Sequence, residues 1–217
     1  ALPEFDQIRD ASKDIKDHVL AHLDLYLEMY EEKVLANGGH VHWAQTGDEA
    51  SRLITQLCER AGARRVTKGK SMVSEEMNLN EALEKSGIEV IETDLGEYIV
   101  QLASEKPSHI IAPAVHKTRD QITELFHHHH KPLGYHERLT ERKAIVSEAR
   151  SVLRERFDSA DVGITGANFL VAETGTSIIV SNEVTGELTQ TLPPVHIVLA
   201  SIEKVVPTLI DATALLR

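Results

Sequence analysis

The sequence predicts an α/β protein: one mostly parallel or mixed sheet flanked by helices, with a helical extension at its N-terminus. Three observations carry that expectation. Short β-type runs alternate with helical stretches of a dozen or so residues from about position 62 onward, the spacing of crossover units. The first third is instead helical, with Ile8, Ile15, Val19, Leu23, Leu27, Tyr30 and Val34 recurring at threes, fours and sevens. The last third places its β-type runs close together, as in an antiparallel or mixed edge.

In chain order, residues 5–36 read as a long amphipathic helix broken once, stopped by Asn37, Gly38 and Gly39. A short strand follows at 40–44, then a helix at 48–62 with Ala50, Leu53, Ile54, Leu57 and Cys58 facing inward. Strands are predicted at 64–67, 87–93 and 108–112, with helices at 80–86, 118–130 and 137–158. Further strands are predicted at 162–165, 177–181 and 196–200, with a turn at 183–186. Two parts follow from this pattern: a helical extension at 1–45 and an α/β unit at 46–217.

Composition narrows the function. The chain has 217 residues, 23 Lys and Arg against 34 Asp and Glu, and a formal charge of −11. Nucleic acids and anionic lipids demand clustered basic residues, so neither is an expected partner. The single cysteine, Cys58, forms no internal disulfide, four-cysteine zinc site or self-contained iron–sulfur cluster, and reads as a packed core residue. No metal site is expected. No apolar run approaches a membrane span, no signal peptide is visible, and the cytoplasm is the default compartment. The absence of Met at position 1 suggests a trimmed or partial chain.

Three polar, glycine-bearing stretches follow predicted strands, where open parallel sheets gather ligands. In Thr67-Lys68-Gly69-Lys70-Ser71, leading to Ser74, Glu75 and Glu76, two ammonium groups, a hydroxyl and free N–H groups are placed to meet an anion. The alternative is a capped turn with Ser74 as N-cap; the glycine spacing is not that of a Walker A loop. In Glu92-Thr93-Asp94-Leu95-Gly96-Glu97, Asp94 and Glu97 suit a capping box, while Glu92 and Glu97 remain candidates for binding or proton transfer. The third stretch carries Gly166 and Asn168, then Glu173, Thr174, Gly175 and Thr176; two small-residue turns there let a ligand approach the backbone. Of the 12 histidines, His127 to His130 close a helix and point in different directions, whereas His116, beside Lys117, and His196 fall near strand ends.

The segments KGKSMVSEEMNLNEAL, GIEVIETDLGEYIVQL, PSHIIAPAVHKTR, DVGITGANFLVAETGT and TLPPVHIVLASIEKVVPT, in this order, resemble the LUD domain of the lactate utilization protein B type. The resemblance covers nearly the whole chain. It implies a fold like that of the ribose-5-phosphate isomerase and CoA-transferase group, and a part, with partner subunits, in oxidising L-lactate to pyruvate. It also implies iron–sulfur clusters in a C-terminal region missing here; with Cys58 alone, no cofactor is expected in this chain. Lys68, Lys70, Ser71, Glu75, Asp94, Glu97, Gly166, Asn168, Glu173, Thr174, Gly175, Thr176 and His196 match positions of the family's motifs. The leading expectation is a domain, non-catalytic or dependent on partners, that binds a small anionic ligand or a partner. The alternative is a stand-alone isomerase or acyl/CoA-transferase-like enzyme with Glu173 as base or nucleophile, an idea suggested by a weaker likeness of Ala172-Glu173-Thr174-Gly175 to the glutamate loop of CoA transferases.

Overall fold

The computed structural model describes residues 3–109, 112–181 and 184–217. The N-terminal periodicity forms two helices, α1 (Phe5–Ala21) and α2 (Leu23–Ala36), broken at His22. Next come α3 (Gly47–Arg60), β1 (Arg65–Gly69), α4 (Met72–Glu76), α5 (Leu79–Lys85), β2 (Glu89–Glu92) and α6 (Leu95–Leu102). Two longer helices follow, α7 (Arg119–His130) and α8 (Arg142–Asp158). The C-terminal third holds β3 (Val162–Thr165), β4 (Phe169–Val171), β5 (Thr176–Ile178), α9 (Thr185–Thr191), β6 (Val195–Val198), β7 (Val205–Val206) and α10 (Leu209–Leu215).

The central sheet is fully parallel, in the order β2-β1-β3-β6. Both of its faces are covered, as is usual for a parallel sheet. On one face Val66, Val90, Val162 and Ile164 pack against Ile54 and Cys58 of α3 and Leu79 and Leu83 of α5. On the other, Ile91 joins Tyr98, Ile99, Phe126, Ala149 and Leu153 from α6, α7 and α8. Cys58 is a buried core residue, as its position on an apolar helix face predicts, and burial pushes its thiol up to about 11.

Beside the central sheet stands a second, three-stranded sheet, β5-β4-β7. β4 pairs antiparallel with β5 and parallel with β7, so the mixed edge expected from the strand spacing forms its own small sheet. Here α1 and α2 find their partner: Val19, Leu23, Tyr26 and Tyr30 pack on Leu170, Ala172 and Val205. The opposite face of the small sheet, Val171 and Val206, is closed by Ala212 of α10.

Several local expectations are corrected. Residues 40–44 form no strand; Trp43 instead donates its indole N–H to Glu31 at 3.1 Å. The helix expected from 137 begins at Arg142. α9 begins at Thr185, where a turn was predicted, and β4, β7 and α10 were not anticipated. The strand expected at 108–112 falls partly on residues 110 and 111, outside the described residues; 108 and 109 form a bend.

Candidate functional site

The chain leaves β1 toward β2 on one side, whereas β6 lies beyond β3 on the other. The reversal falls between β1 and β3, the position at which a parallel sheet opens a crevice at its strand ends. A cleft of about 240 Å³ lies there, lined by Lys68, Lys70, Ser71, Met72, Glu75, Glu92, Asp94, Glu97, Asn168 and Val180.

Its floor is a buried ion cluster. Lys68 and Glu92 are register partners on β1 and β2, on the face that carries the apolar core. The Lys68 side chain is 2% exposed, and its Nζ lies 2.8 Å from Glu92 Oε1, 2.7 Å from Glu75 Oε1 and 2.9 Å from Ser74 Oγ. All three ammonium N–H groups therefore have an acceptor. Burial alone would push this amine down, but Glu92 and Glu75 outweigh it and raise it, so Lys68 stays charged. Glu92 also accepts from Asn80 Nδ2 at 2.6 Å.

The rim is built by the two loops. Lys70 takes a left-handed φ of 58° and sends Nζ to Asp94 Oδ2 at 2.7 Å. Gly166 lies against it: a Cβ there would come within 2.3 Å of the Lys70 carbonyl oxygen, so the β3 loop closes on the β1 loop only with glycine. Ser71, not Ser74, is the N-cap of α4, accepting from the Ser74 N–H at 3.3 Å, while Ser74 turns its hydroxyl to Lys68 and to the Ser71 carbonyl. Asn168 accepts from Val180 N–H at 2.8 Å and so ties together the open end of the β4–β5 hairpin, where both residues line the cleft.

Asp94 caps α6 through the Gly96 N–H at 3.1 Å, but Glu97 does not complete the expected capping box. The Glu97 carboxyl hydrogen-bonds the Asp94 carboxyl instead. Burial, then the Asp94 charge, pushes Glu97 up to about 8. Asp94 moves the other way: burial opposes its charge, but Glu97, Lys70 and the Gly96 N–H together hold it down to about 2. The pair thus shares one proton at neutral pH.

Nine residues named from the sequence therefore meet at one place: Lys68, Lys70, Ser71, Glu75, Glu92, Asp94, Glu97, Gly166 and Asn168. The others do not join them. Glu173 Oε1 accepts from the Leu209 N–H at 2.8 Å and steadies the start of α10. Thr174 accepts from Asn37 Nδ2 through its carbonyl, and Gly175, at φ 71°, lies against the Lys33–Val34 backbone of α2. Thr174 bonds Thr176 hydroxyl to hydroxyl. This is the far end of the β4–β5 hairpin, where the chain docks on α2 and α10. His196 points to Thr165 Oγ1 at 2.8 Å, and burial lowers its pKa, so it is neutral at pH 7. His116 and Lys117 both bind Glu105.

One polar network escaped the sequence reading. Tyr98 Oη, His130 and Glu148 form a buried chain of 2.9 and 2.8 Å hydrogen bonds joining α6, α7 and α8. His130 was visible only as the last of four consecutive histidines, and its partners lie 32 and 18 residues away. No signal in the sequence links them.

Among the described residues, no group of three or more His, Cys, Asp or Glu side chains is placed to hold a metal ion. No helix among them is long and apolar enough to cross a membrane.

The model of the LUD domain family matches residues 27–217, so the chain belongs to the LUD domain family. It is 46% identical over 215 residues to a protein of Escherichia coli K12 described as "Uncharacterized electron transport protein YkgF", covering 99% of this chain and 44% of that one. It is 45% identical over 209 residues to lactate utilization protein B of Bacillus subtilis 168, covering 95% and 43% respectively. The lactate utilization protein B of Macrococcus caseolyticus is likewise 45% identical, over 208 residues. The chain spans less than half the length of these relatives. No solved structure matches it.

Proposed function

We propose that this chain is the LUD part of a lactate utilization protein that takes part in oxidising L-lactate to pyruvate within a multi-protein complex, and that it contributes a small-ligand cleft at the ends of β1, β2 and β3. The observation that supports this most directly is 45% identity across 95% of the chain to proteins named for lactate utilization. The cleft adds a physical reason: buried charges, each partnered, are costly to assemble and occur where a fold has use for them. Two-electron oxidation of lactate needs an electron carrier. The donor set here does not fit a cysteine-ligated cluster, because Cys58 is single and buried in the core. The iron–sulfur clusters of this reading therefore belong to sequence outside these residues, and the partners are the other lactate utilization subunits.

The test is genetic and biochemical together. A strain lacking the gene is expected to lose growth on L-lactate while growing on pyruvate. The intact protein should restore it and co-purify with its partner subunits from lactate-grown cells. Undiminished growth of the deletion strain on L-lactate, with no compensating homologue, overturns the reading.

A further inference from the structure

The two edges of the central sheet are finished differently. At the β2 edge a side chain takes the place of a neighbouring strand. Gln101 Nε2 donates to the Val90 carbonyl at 2.8 Å, and its Oε1 accepts from the Glu92 N–H at 3.1 Å. Glu89, at the start of β2, is paired with Arg65 at 2.8 Å and Arg156 at 3.0 Å. Satisfied backbone groups and charges are the devices by which a sheet edge refuses another strand. Three of the four β2 residues are buried although the strand lies at an edge.

The β6 edge has none of these devices. Among the described residues β6 pairs only with β3. Leu199 N–H donates to the Thr165 carbonyl at 2.8 Å, so by the alternation of a strand Val195 and Ile197 face β3, and His196 and Val198 turn N–H and C=O outward. Those outward groups meet no partner among the described residues. No residue of β6 is buried, and Ile197 and Leu199 are only partly covered where they reach the core. Around them Leu192 is 44% exposed, Val195 38% and Ile202 50%. Residues 192–202 contain no Asp, Glu, Lys or Arg, in a chain that is 26% charged, and His196 is turned to Thr165. An apolar, uncharged edge with open backbone groups is a template for strand addition and a hazard whenever it is bare.

We propose that the outer edge of β6 is a docking surface for an apolar β-strand of the same polypeptide, drawn from full-length sequence outside residues 1–217. Two observations select that occupant. The chain spans only 44% and 43% of the relatives it matches, so more than half of such a protein is available to cover the edge. The edge also lacks every protective charge, which calls for a permanent cover; a partner that comes and goes leaves it bare part of the time. The added strand hydrogen-bonds His196 and Val198 and buries Val195, Leu192 and Ile202. The central sheet thereby continues into the remainder of the protein. This rests on the reading that residues 1–217 are one part of a longer chain, but not on any role in lactate oxidation, so it and the growth test fail independently.

The experiment is amide hydrogen exchange on the full-length wild-type protein, read residue by residue, without partner subunits and at two protein concentrations. The His196 and Val198 amides are expected to exchange at least about a hundredfold more slowly than a free peptide, equally at both concentrations. Exchange near the free-peptide rate overturns the proposal, as does protection that appears only at the higher concentration or only when partner subunits are added. A second measurement identifies the cover. A photo-reactive side chain is placed at Val195 of the full-length protein, and isotopically light and heavy copies are mixed before illumination. Cross-links within one copy, to a peptide outside residues 1–217, are expected. Cross-links to a second copy, to a partner subunit or to residues 1–217, or no cross-link at all, overturn the proposal. Should the labelled protein not fold, hydrogen exchange on the wild type still decides.

Discussion

Two regions of this chain look alike as sequence and differ as structure. Lys68 to Ser71 with Gly166, and Glu173 to Thr176, are both short, polar, glycine-bearing runs after β-strands. The first faces a crevice at the turning point of a parallel sheet, where two loops diverge and leave space between them. The second closes a hairpin and touches α2 and the start of α10, while Glu173, Thr174 and Thr176 stay exposed. Its glycine is required by contact with the backbone at Lys33 and Val34, not by a ligand. The same composition serves an opening in one place and a docking contact in the other, and the strand order decides which.

Substitutions can separate the two regions, and the largest effect is expected at the cleft floor. Lys68→Met removes the cation that faces Glu92, whose side chain is 4% exposed. A buried carboxylate left without its partner costs about 3–5 kcal/mol, read as a lower denaturation midpoint. Replacing Lys68 and Glu92 together by Met and Leu should recover much of that loss, because burying neither charge is cheaper than burying one. A double variant as unstable as the single one would show that the floor is not held by this pair.

Next come the two glycines. Gly166→Ala forces the β3 loop away from the Lys70 carbonyl, and Gly175→Ala meets the α2 backbone at a left-handed φ. Each is expected to cost about 1–3 kcal/mol. Only Gly166→Ala should also shift the coupled titration of Asp94 and Glu97, since only it moves the Lys70 wall of the cleft. An equal shift in both variants would erase the distinction between the regions.

Stability against pH sharpens the comparison further. Glu97 lies near 8 in the folded chain and at its ordinary 4.5 when unfolded, so the folded form is penalised progressively as pH rises from about 4.5 to 8. Glu97→Gln should remove that slope, and its midpoint relative to the wild type should rise across this window. Asp94 acts in the opposite sense: its contribution is complete above about 4 and is lost as pH falls toward 2. Denaturation midpoints measured from pH 3 to 9 check both signs, and parallel profiles for the two proteins would contradict the shared proton.

The smallest effect is expected at Glu173. Its exposed carboxylate meets one backbone N–H at the start of α10, so Glu173→Ala should cost about 0.5–1 kcal/mol and leave ligand binding unchanged. A loss of binding would bring this end of the hairpin back into consideration as a site.

Much of the architecture was legible because it follows from local periodicity. The two N-terminal helices, α3, α7 and α8, and strands β1, β2, β3 and β6 each carry their own pattern of apolar positions. The strands that escaped, β4 and β7, are three and two residues long, too short for alternation to register. Residues 40–44 alternate like a strand but have no neighbouring strand to pair with, and α10 announces itself only by its Thr208 and Asp211 capping box.

The sequence by itself determined the α/β class, the helical start, the buried Cys58 and the stretches in which polar residues gather beside glycines. Only the tertiary structure decided that Lys68 is buried and matched and that Asp94 and Glu97 share a proton. It alone turned Glu173 away to cap a helix and joined His130 to Tyr98 and Glu148. The physical reason is one of range. Helices and strands are written in spacings of two to four residues, whereas the charge state of a buried group depends on neighbours brought from dozens of residues away by the order of strands in the sheet.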